Sequence, residues 1–246
     1  MVTKKLVLTC LLLACLTACN TLKPTDDPSV QISADPYKGF NRRIHNFNAT
    51  ADRLILRPVA KGYTRVAPKR VRKSVSNFFQ NLSEPLYAVN NMLQGKVDRS
   101  LISAYRFIVN STVGIGGLFD VVNHFYDVEP AKEDFGQTLA AWGAKPGPYL
   151  VLPFFGPSNL RDGFGLVIER FTYFPNNVIT DENAITTGLT VLNIVDIRAN
   201  LLRFDETLAN QVDTYQFLKV ASETNRLREL YDGVPPSAKQ EGFDDF

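Results

Sequence analysis

Few side chains in this sequence could do chemistry, and the first that could is a thiol. Cys19 follows Leu16-Thr17-Ala18, a quartet with the form of a bacterial lipobox, in which the Cys is acylated before the peptide ahead of it is removed. The residues upstream agree. Lys4 and Lys5 lead an apolar run from Leu6 to Leu16, the charged and apolar parts of a secretory signal that is too short for a stable membrane span. We therefore expect residues 1–18 to be a signal peptide and Cys19 to carry a diacylglycerol and an acyl chain. Asn20, next to the anchor, is not the Asp that retains such proteins in the inner membrane. The expected address is the outer membrane, anchored in its periplasmic leaflet.

Catalytic groups are scarce. The chain has 2 His. His124 with Asp120 and Asp127 is the only local set of metal-ligand types, and such a set arises easily by chance. There is no G-x-S-x-G elbow, and Ser111 and Ser158 have no base nearby in sequence, so a Ser–His pair with His45 or His124 would have to be assembled by the fold. Gly114-x-Gly116-Gly117 lacks the third glycine of a dinucleotide fingerprint and the Lys-Ser/Thr of a P-loop, and it follows a helix-like segment instead of a strand. Those glycines read better as close packing or a bend. The expectation is a protein that is not an enzyme, with no metal and no dissociable cofactor.

Charge and cysteine content narrow the class further. All 3 Cys lie at or before Cys19, so nothing is left to form disulfides beyond the anchor, and stability has to come from packing. Removing Lys4 and Lys5 with the signal leaves 25 basic against 25 acidic side chains, a balance that attracts no nucleic acid. The distribution is uneven, because Arg53 to Ser83 holds Arg57, Lys61, Lys69 and Arg70 among its cations and no acid. Such a block suits lipid head groups at a membrane face, and equally a solvated surface that balances acids elsewhere.

The elements that must position these groups read as helices. Residues 19–34 are polar and unpatterned, a tether. Asp35-Pro36 reads as a helix start, followed by Tyr37, Phe40, Ile44 and Phe47 at helical spacing; that helix could lie on a membrane or pack on the core. Pro58 is expected to end the next element and Pro68 to open another. Val71, Val75, Phe78, Phe79 and Leu82 mark one helical face, Glu84-Pro85 a break or kink, and Gln94-Gly95 a helix end. Leu101, Tyr105 and Ile108 continue the helical spacing. Ala184 to Leu192, Ile194 to Phe204, and Asp205 to Leu230 read as further helices, halted by Asp232-Gly233. No stretch shows sustained period-two alternation. We expect one mainly helical domain over residues 35–232, and a disordered tail over 233–246.

One stretch resists this pattern. Between Asp134 and Gly163, the run Tyr149 to Phe155 is apolar but for Pro153 and is fenced by Gly147-Pro148 and Gly156-Pro157. It is far shorter than the about 20 residues of a spanning helix, yet too apolar for a water-facing loop.

Taken in order, Asp35-Pro36-x-x-Gly39-Phe40-Asn41-Arg42, Pro58-Val59-Ala60-x-x-Tyr63, Ser76-Asn77-Phe78-Phe79-x-Asn81-Leu82-x-x-Pro85, Leu93-Gln94-Gly95, Arg106-Phe107-x-x-Asn110-Ser111-Thr112-x-Gly114-x-Gly116-Gly117, Asp134-Phe135-Gly136-Gln137-Thr138-Leu139, Trp142-Gly143, Gly147-Pro148-Tyr149, Leu152-Pro153, Gly156-Pro157-Ser158 and Leu160-Arg161-Asp162-Gly163 resemble the MlaA (VacJ) lipoproteins of Gram-negative bacteria. After Gly163 the likeness is loose. The resemblance implies an all-α fold, a single ring-like helical domain embedded in the inner leaflet of the outer membrane beside a trimeric porin. It implies removal of phospholipids misplaced in the outer leaflet through an amphipathic channel, delivery to a soluble periplasmic carrier of the MlaC type, and retrograde transport to an ATP-driven inner-membrane complex.

A phospholipid passage needs an apolar wall beside a polar one. Candidates for the apolar wall are Phe135, Leu139, Trp142, Tyr149, Leu150, Leu152, Phe154 and Phe155; for head groups, Arg57, Lys61, Lys69, Arg70 and Arg161. Two other readings fit the residues: a structural lipoprotein docked on a porin or at the cell surface, and a periplasmic lipid hydrolase.

Overall fold

A computed structural model describes residues 35–172 and 183–233, and the statements below concern those residues. The signal peptide, Cys19, the tether and tail residues 234–246 lie outside them.

The first helix begins later than its sequence suggests. α1 spans Lys38–Ala51 with Tyr37 at its N-cap. Asp35 does not cap it: its carboxylate accepts from the Asn41 side-chain amide at 2.8 Å and from the Tyr215 hydroxyl. The chain then stays helical through a π-helical turn, Asp52–Leu56, into α2, Arg57–Val66. Pro58 therefore stops nothing. It sits in the first turn of α2, where its missing N–H costs little.

α3 (Lys69–Leu93) and α4 (Val97–Thr112) form an antiparallel hairpin joined at Gly95, whose φ is +78°. Pro85 lies inside α3 without ending it. A short α5, Val121–Tyr126, is capped by Asp120, which accepts from the Asn123 N–H. α6, Phe135–Ala141, opens with a reciprocal capping box between Asp134 and Gln137.

Sequence reasoning missed the next element. β1 (Tyr149–Leu152) pairs antiparallel with β2 (Gly156–Asn159), Tyr149 opposite Asn159 and Leu152 opposite Gly156. The alternation is real in burial, with Tyr149 and Val151 buried and Leu150 and Leu152 half-buried, but four apolar residues in a row hide it. α7, Leu160–Thr172, follows at once. The two helices read from Ala184 to Phe204 are one, α8 (Asn183–Leu201), closed by a 3-10 turn at Leu202–Phe204. α9 (Asp205–Ala209) and α10 (Thr214–Leu230) are the last helices among the described residues, and Asp232 and Gly233 both take positive φ.

Most of what these helices bury is polar. α4 turns Ser100, Ser103, Arg106 and Asn110 inward and leaves Val97, Leu101, Tyr105 and Ile108 exposed. α3 meets it with buried Asn81, Glu84, Asn90 and Asn91. Arg106 donates to Glu84 at 2.6 Å and to Asp120 at 2.9 Å, and its guanidinium also meets the Val128 carbonyl. Asn91 donates to the Ala131 carbonyl at 2.8 Å, and Ser100 to that of Ala88 at 2.8 Å. Helix pairs held by small and amide side chains, with apolar faces outward, are the pattern found where lipid removes the hydrophobic drive between helices.

The glycine-rich turn after α4 serves this packing. A Cβ at Gly117, where φ is +87°, would lie 2.5 Å from the Asn81 Cβ, so only glycine admits the turn against α3. The backbones of α6 and α7 cross similarly, and a Cβ on Gly165 would sit 2.6 Å from the Gly136 nitrogen.

Candidate functional site

The β1–β2 hairpin is held by two amides of α1. Asn41 donates to the Tyr149 carbonyl at 3.0 Å and accepts from the Val151 N–H at 2.9 Å. Asn48 repeats the arrangement, donating to the Leu152 carbonyl at 2.9 Å and accepting from the Phe154 N–H at 2.8 Å. Seven helical residues rise about 10.5 Å, and three strand residues advance about 10 Å. The two amides thus stand in for a neighbouring strand. Only Asn41 belongs to the motifs read above; Asn48 escaped notice because an Asn in a helix pattern gives no sign of what it faces.

This clamp fixes where the apolar candidates fall. Tyr149 is 2% exposed and packs with Val151 and Tyr215, with Ile44 against them and the Lys219 ammonium 5.2 Å from its ring centroid. Phe154 and Phe155, at the hairpin tip, are 71% and 63% exposed. Phe154 has φ +65°, unusual for a bulky residue, and its ring meets Phe47 edge-on at 5.3 Å. On α6, Phe135 and Leu139 are half-buried; Trp142 follows, partly exposed, donating its indole N–H to the Leu93 carbonyl at 3.0 Å.

The five cations separate into three groups. Arg161 is 8% exposed and donates to Asp162 at 2.8 Å. Burial works against a charge on Asp162, yet Arg226, at 2.9 Å, and Arg161 hold its carboxyl below the usual range. Arg57 donates to Asp205 at 2.7 Å, a carboxylate shared with Arg198, which also binds Asp52. Lys61 and Lys69 are exposed. Arg70 alone lines a cavity.

That cavity, of about 1270 Å³, exceeds the range of about 300–1,000 Å³ common for small-molecule sites. One wall is the polar face of α3, Arg70, Lys73, Ser74 and Asn77; others come from α5, the segment 127–132 and the end of α10. Val113, Leu118, Phe119 and Phe125 supply apolar surface. None of the eight apolar candidates lines it. The cavity acids Asp120, Asp127, Glu129, Glu229 and Asp232 were not singled out as a set, because three separate segments bring them together.

Each of these histidines and serines has another partner. His45 is within 3.1 Å of the Thr214 hydroxyl, and burial lowers its pKa. His124 stacks edge-on with Phe125 at 4.8 Å. The Ser111 hydroxyl accepts from Asn81, and that of Ser158 donates to the Asn159 carbonyl. Asp120 is taken up by Arg106, Asn110 and the cap of α5.

Outside, apolar side chains dominate several helices: Leu54 and Ile55 in the π turn, Leu101 and Ile108 on α4, Phe164 on α7 and Ile197 on α8 are all exposed. Among the described residues, no helix is long and apolar enough to cross a membrane.

Ion pairs inside, apolar side chains outside and a charged cavity between helices define a helical protein whose outer surface is complementary to lipid. Comparison with known proteins gives this class a family. The family model described as MlaA lipoprotein matches residues 33–229, and the chain belongs to that family. An intermembrane phospholipid transport system lipoprotein MlaA of Escherichia coli strain K12 is 36% identical over 193 residues, covering 76% of this chain and 75% of its own. The Haemophilus influenzae protein of the same description is 29% identical across 98% of this chain and 96% of its own. An uncharacterized protein of Rickettsia typhi is 37% identical, covering 83% of this chain and 80% of its own. A solved structure described as the structural basis for maintenance of bacterial outer membrane lipid asymmetry matches with a TM-score of 0.67 and 33% identity, covering 82% of this chain and 100% of that one.

Proposed function

We propose that this chain is an outer-membrane lipoprotein, anchored through a lipid on Cys19, that removes phospholipid from the outer leaflet and passes it to a soluble periplasmic carrier. The observation that carries this reading is the inverted polarity: α4 buries Ser100, Ser103, Arg106 and Asn110 while exposing Leu101, Tyr105 and Ile108, beside a cavity lined by both charge and hydrocarbon. Relatives described as intermembrane phospholipid transport lipoproteins support it.

In this reading the exposed helix faces sit among acyl chains, and Phe154, Phe155 and Trp142 meet lipid tails. The cavity conducts the head group. Tyr149, Arg161 and Arg57 hold the frame, and Lys61 and Lys69 face the head-group layer. Partnership with a trimeric porin gives access to the far leaflet. Direction follows the lipid gradient or the carrier's affinity, since a binding partner moves an equilibrium only by its preference between states.

The experiment is deletion of the gene followed by measurement of phospholipid in the outer leaflet. The expected result is accumulation, reversed by the wild-type gene. An unchanged outer leaflet with disturbed porin assembly would replace transport by a structural role.

A further inference from the structure

The cavity holds two kinds of charge. Asp120 is bound by Arg106, Glu229 by Arg226, and Asp232 by Lys96 and Arg99. These acids are spent on the frame. Among the described residues, the cavity cations Arg70, Lys73, Lys132 and Arg228 make no ion pair, and neither do the cavity acids Asp127 and Glu129. All six are exposed. Free charges of both signs therefore face one space, with Phe119 and Phe125 on its walls.

We infer that the cavity is a head-group site for a zwitterionic aminophospholipid, with Arg70, Lys73, Lys132 and Arg228 taking the phosphate and Asp127 and Glu129 the ammonium. The inference rests on the phospholipid-passage reading and adds the class of lipid. Cations beside a phosphate form charge-assisted hydrogen bonds stronger than neutral ones. Cations alone would favour an anionic lipid; the two free acids repel one and offer a primary ammonium a partner. The apolar walls point to a lipid as the source of this chemistry in place of a free phosphate ester.

The test uses the full lipidated protein in detergent with three fluorescent lipids of equal chain length: phosphatidylethanolamine, phosphatidylglycerol and diacylglycerol. Phosphatidylethanolamine should bind most tightly, by about tenfold over diacylglycerol, which corresponds to about 1.4 kcal/mol. Arg70→Gln with Lys73→Gln should abolish the preference over diacylglycerol, whereas Arg70→Lys with Lys73→Arg should keep it. Asp127→Asn with Glu129→Gln should abolish the preference over phosphatidylglycerol. Arg203→Gln, which removes a cation lying over the Phe204 ring and outside the cavity, should change nothing. Equal or tighter binding of phosphatidylglycerol by the wild type overturns the assignment, as does equal binding of diacylglycerol; in either case bound lipid leaves the passage reading standing. Displacement by soluble phosphoethanolamine at the affinity of the lipid itself would overturn the lipid source. Failure of all three lipids to bind removes the passage reading and this inference together.

Discussion

At the scale of residues, the interior is held by charge. Glu84 and Arg106 are both fully buried, and Arg106 reaches Asp120 as well, so removing Arg106 strands the Glu84 carboxylate, whereas removing Glu84 leaves Arg106 paired with Asp120. Arg106→Leu should destabilise by about 3–5 kcal/mol in denaturant unfolding, the cost of leaving a buried charge without its partner. A loss under 1 kcal/mol, roughly that of an exposed pair, would show the ions to be hydrated. Glu169 offers a pH test. Burial raises its carboxyl from an ordinary 4.5 to about 7, although it accepts from the Phe135 N–H. A carboxyl raised on folding binds its proton more tightly in the folded state, so its contribution is best below pH 4.5 and declines as the pH rises to about 7. Glu169→Gln should remove that decline, at most about 3 kcal/mol and less where solvent screens the group. Parallel stability–pH curves for the two proteins would contradict the assignment.

At the scale of elements, the helices were legible and their orientation was not. Leu101, Tyr105 and Ile108 announce a helix by spacing, but periodicity says only that one stripe is apolar. Which stripe faces inward depends on the surrounding solvent, and here the polar stripe does. The hairpin was illegible for a different reason. Tyr149 to Leu152 is apolar on both faces, and its pairing is completed by Asn41 and Asn48 from another element. Arg161 and Arg57 read as free cations because a sequence does not show that Asp162 and Asp205 pair with them. The orientation of α4 can be checked directly. Leu101→Glu with Ile108→Glu should preserve helix content by circular dichroism yet lower flotation with liposomes, since a charge at depth in a bilayer costs about 2.5–3.5 kcal/mol. Loss of the helical signal would place that face in a protein core.

At the scale of the molecule, the frame, the exterior and the cavity form one design. Ion pairs such as those of Arg226 with Asp134 and Asp162 tie α10 to α6 and α7, which frees apolar side chains for the outside. The pattern from Lys4 to Cys19 led to the expectation of a membrane address, whereas the cavity was not legible, because α3, segment 127–132 and the end of α10 meet only in the fold. The central claim is that lipid moves through this cavity, and the most direct measurement is outer-leaflet phospholipid in a deletion strain carrying Ser74→Trp, a bulky side chain on the cavity wall. At wild-type protein levels, the account predicts that phospholipid stays as high as in the strain with no gene at all. Full restoration of the outer leaflet by Ser74→Trp would contradict it.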